Sequence, residues 1–142
     1  MTAARLTPIQ CLAAYAVVFV VMGALDALWL GWLARDFYQR ELGPLLTDAV
    51  RLVPAALYYL LYPAAIVYLA LGPASTFGAA VLRSAVLGLT AFGVYDLTNL
   101  ATLRGYSPTM TVVDMAWGGF ASALGGAAAY RAVIGRTPAA EG

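Results

Sequence analysis

Three acidic residues lie inside long apolar stretches of this sequence: Asp26, Asp96 and Asp114. A charged side chain at the middle of a membrane span costs about 2.5–3.5 kcal/mol on insertion scales, and such residues usually face protein and often carry function. Buried carboxyl groups can bind a proton or a cation. Two of them in different environments can also act as acid and base. The three Asp are therefore the candidate functional residues.

Each of these Asp is followed three positions later by an aromatic or amide side chain, on the same face of a helix. The segments are LDALW, DMAW and YDLTN, and three tyrosines of another apolar stretch are expected at the same depth. The two D-x-x-W elements suggest an internal repeat but are too short to establish one. The predicted polar pocket comprises Asp26, Trp29, Tyr58, Tyr59, Tyr62, Tyr95, Asp96, Thr98, Asn99, Asp114 and Trp117.

The composition indicates a membrane protein. Hydrophobic residues make up 63%, mean hydropathy is +0.81, and charged residues are only 11%, against about 25% in soluble domains. A net charge of +1 gives no basic excess for nucleic acid. The sequence has no His, and its single Cys11 cannot form an internal disulfide.

Four segments are long and apolar enough to span a bilayer, which takes about 20 helical residues: 10–33, 52–72, 79–102 and 109–130. The first is too long for the apolar core of a signal peptide. Residues 34–51 are expected to form an amphipathic interfacial loop broken near Gly43-Pro44, and residues 136–142 a flexible tail. The sequence predicts one all-α domain, an integral membrane four-helix bundle.

The alternating direction of the spans places the three Asp at one depth. Each lies roughly 8–10 Å below the membrane face nearest the 34–51 loop, at 1.5 Å per helical residue. The only cations available to pair with them are the flanking Arg35, Arg40, Arg51 and Arg104, and an Arg could reach a carboxylate in a bidentate manner. The other face also holds four Arg, so loop charge favours neither orientation. The N-terminal amine tips the balance weakly toward both termini inside.

Proline and glycine mark further features of the predicted spans. Pro63 predicts a kink in the second span, because proline removes a backbone donor. Gly118-Gly119 and Gly125-Gly126 favour close helix packing in the fourth.

Several segments together resemble a bacterial membrane-protein family, the domain of unknown function 2177. They are LDALWLGWLARDFYQRELGPLL, ALYYLLYPAAIVYLAL, GVYDLTNLATL and VVDMAWGG, and the resemblance covers about residues 10–130. It implies a four-helix protein of the bacterial inner membrane and supplies no reaction. The family's motif positions fall on Asp26, Trp29, Tyr95, Asp96, Thr98, Asn99, Asp114 and Trp117.

Three functions are consistent with these features. The first is binding or transport of a small solute, ion or proton at the carboxylates, in a possible homo-oligomer surrounded by membrane lipid. The second is a membrane enzyme acting on a lipid or other apolar substrate, with Asp as acid and base. The third is a structural subunit of a membrane complex, in which the polar network only fixes helix packing. No cofactor is expected: heme lacks a His ligand, and no D-x-x-D spacing supports a Mg²⁺ or Mn²⁺ site.

Overall fold

The computed structural model describes residues 6–135, and this part of the chain is all-α with no strand. The predicted tail at 136–142 lies outside it. Three of the helices end in a π-helical turn, and a 3₁₀ turn follows the second helix. The elements are α1 (Pro8–Leu28, continued by Trp29–Leu33), α2 (Arg35–Leu42, then Gly43–Leu45), α3 (Leu52–Ala65, continued by Ile66–Leu71), α4 (Phe77–Thr102) and α5 (Pro108–Ala129, continued by Tyr130–Ile134).

Three helical segments are long and apolar enough to cross a membrane: Pro8–Leu33, Leu52–Leu71 and Phe77–Thr102. The chain is therefore an all-α membrane protein. α5 has 22 residues but is not among these three, because Gly, Ala, Ser and Thr replace bulky apolar side chains along much of it. Nine residues of α5 are buried, so this helix contacts protein more than its surroundings. A fourth span at α5 remains a prediction.

Helix starts follow local capping rules. Thr7 and Gln10 form a reciprocal capping box at the start of α1. Thr76 and Ser107 accept backbone N–H groups at the starts of α4 and α5. Such caps satisfy N–H groups that have no partner within the helix.

α4 and α5 run antiparallel along a seam of small residues. A Cβ atom on Gly88 would lie 2.2 Å from the Gly118 carbonyl oxygen, and one on Gly126 would lie 2.1 Å from Ser84 Oγ. A Cβ on Gly118 would meet the Phe92 ring at 2.3 Å. The prediction that Gly118 and Gly126 allow close helix packing is confirmed, since no larger residue fits at these positions.

The helix that contains Pro63 continues past it. Pro63 is buried inside α3, and the winding changes to the π type from Ile66 onward. The following residues Ile66 and Leu71 pack with Val18 and Met22 of α1 in the apolar core. This core occupies the half of the bundle nearer the start of α1, and the three Asp lie in the other half.

Candidate functional site

Asp26 lies in the last turn of α1 and is 4% exposed. Its Oδ1 accepts a hydrogen bond from Trp117 Nε1 at 2.9 Å, and its Oδ2 accepts one from the Tyr59 hydroxyl at 3.1 Å. Asp26 therefore ties α1 to both α3 and α5. The neighbouring Tyr58 hydroxyl is buried, and in the described part of the chain it has no hydrogen-bond partner.

Two tryptophans connect Asp26 to Asp114. The rings of Trp29 and Trp117 are stacked, with centroids 4.5 Å apart and planes at 7°. Trp29 Nε1 donates to the Tyr38 hydroxyl at 3.2 Å, and that hydroxyl donates to Asp114 Oδ1. An unbroken set of contacts thus crosses the bundle from α3 to α5.

Asp96 is fully buried, and its carboxyl group interacts with that of Asp114 on the adjacent helix. The Tyr106 hydroxyl donates to Asp96 Oδ1 at 2.8 Å. Asp96 Oδ2 is buried and has no hydrogen-bond partner among residues 6–135. An unpaired polar atom of this kind is rare in folded proteins and calls for an explanation.

The short helix α2 lies against this carboxyl pair. Tyr38 anchors it to Asp114, and Ser107, the N-cap of α5, donates to Glu41. Burial raises the pKa of the Tyr38 hydroxyl, and its hydrogen bond to Asp114 raises that pKa further. Burial and the hydrogen bond to Asp96 likewise raise the pKa of Tyr106. Both hydroxyls therefore keep their protons, and remain donors, at neutral pH.

The flanking arginines do not pair with the carboxylates in the described part of the chain. Across residues 6–135, neither Arg35, Arg40, Arg51 nor Arg104 makes a salt bridge or a side-chain hydrogen bond. Tyr and Trp donors occupy the positions around the carboxylates instead. They are neutral, so they satisfy oxygen lone pairs without cancelling charge.

The structure brings together most of the predicted pocket residues but not all of them. The Tyr62 hydroxyl lies 2.8 Å from Ser122 Oγ, and the Tyr58 and Tyr62 rings stack at 5.5 Å. Asn99 is half-buried and interacts with Tyr106. Tyr95 is 56% exposed, on the outer face of α4.

Thr98 is also exposed, and its hydroxyl bonds to carbonyls of its own helix. Thr98 therefore does not join the cluster, whereas Tyr95 contributes only an electrostatic interaction with Tyr106.

Sequence reasoning missed three contributors: Tyr38, Tyr106 and Ser122. Tyr38 belongs to the amphipathic segment, where a tyrosine is typical of a membrane interface. Tyr106 lies in the turn between α4 and α5, ten positions after its partner Asp96. Neither position has a helical spacing to Asp114 or Asp96, so no periodic pattern could have identified them.

The surroundings of the site bear on what it can bind. Residues 6–135 contain no group of three or more His, Cys, Asp or Glu arranged to hold a metal ion. Two surface cavities, of about 770 and 410 Å³, lie toward the start of α4, and none of the predicted pocket residues lines either of them. The carboxylates sit in packed surroundings of aromatic rings.

Fold and composition define an all-α membrane protein with several apolar helices. Residues 11–131 match the family of predicted membrane proteins designated DUF2177, so the chain belongs to that family. The resemblance seen in the sequence is confirmed. No curated protein and no solved structure matches the chain.

Proposed function

We propose that this protein binds an exchangeable proton at the carboxyl pair of Asp96 and Asp114, and that this pair is its functional centre. The observation that carries the proposal is Asp96 itself, 0% exposed beside a second carboxyl group, with one oxygen unpaired in the described chain. Two carboxylates side by side in a low-dielectric interior repel each other strongly. One proton on the pair removes that repulsion.

The absence of a nearby cation supports a proton as the ligand. The titratable groups that face the pair are Asp26, Tyr38, Tyr58 and Tyr106. None of them is cationic, and no Arg within residues 6–135 forms an ion pair with a carboxylate. The packed surroundings favour a proton over a solute of several atoms.

We extend the proposal to the arrangement of the chain in the membrane. α5 is proposed as the fourth span, because it packs antiparallel to α4 through Gly88, Gly118 and Gly126. The bacterial inner membrane, with both termini inside, is the proposed location. If the protein also transports protons, a homo-oligomer is the proposed state, because four helices are few to enclose a pathway within one monomer.

Infrared spectroscopy of the protein in detergent micelles free of ester groups tests the proposal. A carboxylic acid absorbs at a carbonyl frequency that a carboxylate lacks, so the wild type is expected to show this band and to lose it on alkaline titration. Asp96→Asn should remove it, whereas Asp48→Asn should leave it unchanged, since Asp48 is exposed on the interfacial segment. A wild type without the band at any pH at which it stays folded would contradict the proposal.

The hydrogen bonds of Asp26 favour a second candidate function, in which the polar network has a purely structural role. Both of its oxygens accept hydrogen bonds from aromatic side chains of other helices. Polar groups of this kind can fix how helices pack in a membrane. Under this alternative, Asp26→Asn and Asp96→Asn lower stability to a similar degree, and neither changes proton uptake.

The geometry gives less support to a lipid-modifying enzyme. Two surface cavities of about 770 and 410 Å³ lie toward the start of α4, in the half of the bundle opposite the three carboxyl groups. An acid–base residue must come within hydrogen-bonding reach of the reacting atom.

A further inference from the structure

The face opposite the carboxylates carries an arginine between two apolar grooves. The larger groove, of about 770 Å³, runs between the start of α1 and the second half of the α3 segment. The smaller groove, of about 410 Å³, runs along α4. Leu69 and Arg83 line both. Apolar side chains form most of the remaining walls: Leu12, Val67 and Pro73 in the first groove, and Leu82, Val86 and Leu87 in the second.

A proline fixes the position of this arginine. Within a helix, the Leu69 carbonyl would accept from residue 73, but residue 73 is a proline and has no N–H. The next N–H, that of Ala74, donates to the Leu71 carbonyl instead. Arg83 Nη2 donates to the free Leu69 carbonyl at 3.0 Å. The guanidinium is thereby held where the two grooves meet.

Arg83 keeps most of its hydrogen-bonding capacity. A guanidinium has five N–H donors, and the Leu69 carbonyl is its one recorded partner within residues 6–135. Such a group can bind a phosphate in a bidentate manner. Arg83 is therefore available for an anion.

The position of Arg83 along α4 puts its guanidinium within reach of the phosphate layer of a bilayer. It is the seventh residue of α4, so its Cα lies about 9 Å from the start of that helix. α4 has 26 residues and exceeds a 30 Å hydrocarbon core by about 9 Å in total, so a centred helix places this Cα about 4–5 Å below the hydrocarbon boundary. The long Arg side chain can extend from that depth to the headgroups. Helical side chains tilt toward the N-terminus, which directs the guanidinium toward the headgroups.

Charge at this end favours an anionic headgroup over a zwitterionic one. All six acidic residues of the described chain lie toward the other end of the bundle: Asp26, Asp36, Glu41, Asp48, Asp96 and Asp114. No described carboxylate is available here for the ammonium group of a zwitterionic lipid. A second copy of the chain in the same orientation would likewise bring no described carboxylate to Arg83.

We propose that Arg83 and the two grooves beside it bind one anionic phospholipid, with the phosphate on the guanidinium and one acyl chain in each groove. This site is separate from the carboxyl pair and does not depend on the function proposed for it.

Native mass spectrometry of the delipidated full chain tests this site. The protein is mixed with equal amounts of dioleoyl phosphatidylglycerol and dioleoyl phosphatidylcholine. The wild type is expected to retain phosphatidylglycerol preferentially, and Arg83→Gln to lower that retention about tenfold, the effect of losing one charge-assisted contact. Arg131→Gln is the matched control, because Arg131 stacks on the Phe77 ring at 4.3 Å and borders neither groove.

Two further variants keep the test decisive if Arg83→Gln fails to fold. Ala64→Trp and Thr90→Trp each fill one groove without altering Arg83, and each should reduce retention of phosphatidylglycerol. Unchanged lipid preference in Arg83→Gln, or an equal loss in Arg131→Gln, would overturn the proposal. A lipid-free dimer that Ala64→Trp dissociates would also overturn it, because a second copy would then cover the groove.

Discussion

The indole rings of Trp29 and Trp117 stack with centroids 4.5 Å apart. Each indole is also connected by hydrogen bonds to the Asp on the other tryptophan's helix. Trp117, three residues after Asp114, donates to Asp26. Trp29, three residues after Asp26, reaches Asp114 through the Tyr38 hydroxyl. The two D-x-x-W elements are therefore cross-connected, and this exchange holds the first and last helices in register.

Replacing Trp117 with Phe should destabilise the protein more than replacing Trp29 with Phe. Both changes keep an aromatic ring for stacking, but Trp117→Phe leaves Asp26 Oδ1 buried without its donor. Such a loss costs about 1–3 kcal/mol. Trp29→Phe leaves Asp114 its bond from Tyr38. Unfolding by denaturant in mixed micelles measures both, and equal losses would show that the stacking, not the hydrogen bond, dominates.

The sequence predicted the all-α membrane fold from its long apolar segments. It predicted a common depth for the three Asp from the span boundaries and the constant helical rise per residue. It also predicted that α1 and α5 would contribute matching elements. These inferences rest on position and spacing along individual long helices. The structure places Asp26, Trp29, Asp114 and Trp117 close together on the first and last helices, and all four lie in or directly beyond long helices.

The positions of the other site residues depend on the orientation of each helix about its own axis and on the segments that connect the helices. Tyr95 and Thr98 adjoin Asp96 in sequence, yet the helical turn of about 100° per residue carries them to the outer face. Tyr38 and Tyr106 reach the carboxylates from outside the long helices. The flanking arginines do not pair with the carboxylates for a related reason. A position near the end of a span does not by itself direct the side chain toward the interior of the bundle.

Tyr38 and Tyr106 should make the protein sensitive to alkali. Each hydroxyl has a pKa raised by burial and by a carboxyl partner, so the folded state holds these protons more tightly than the unfolded state does. Their stabilising contribution is complete below the unfolded pKa of about 10, and it is lost as the pH rises above that value. Stability measured across alkaline pH should therefore fall, and the fall should be shallower in Tyr106→Phe. An identical slope in that variant would contradict the assignment.

The α4–α5 seam should not tolerate a single added methyl group. Gly126→Ala places a Cβ 2.1 Å from Ser84 Oγ, and overpacking of this kind costs about 1–3 kcal/mol or more. Gly23→Ala is the control, because a Cβ there meets nothing within 4 Å; it should be neutral or slightly stabilising. Thermal unfolding in detergent compares the two. Restoration of stability by adding Ser84→Gly to Gly126→Ala would establish that the clash is local.

Replacing Ser107 should affect more of the structure than replacing an ordinary helix N-cap. Ser107→Ala removes the acceptor for the Met110 N–H and also the donor to Glu41 on α2. Thr76→Ala removes only the acceptor for the Ala79 N–H at the start of α4, which costs about 1 kcal/mol. Hydrogen exchange should therefore show faster exchange across α2 in Ser107→Ala but not in Thr76→Ala. If α2 stays equally protected in both variants, Tyr38 alone is sufficient to hold this helix over the carboxyl pair.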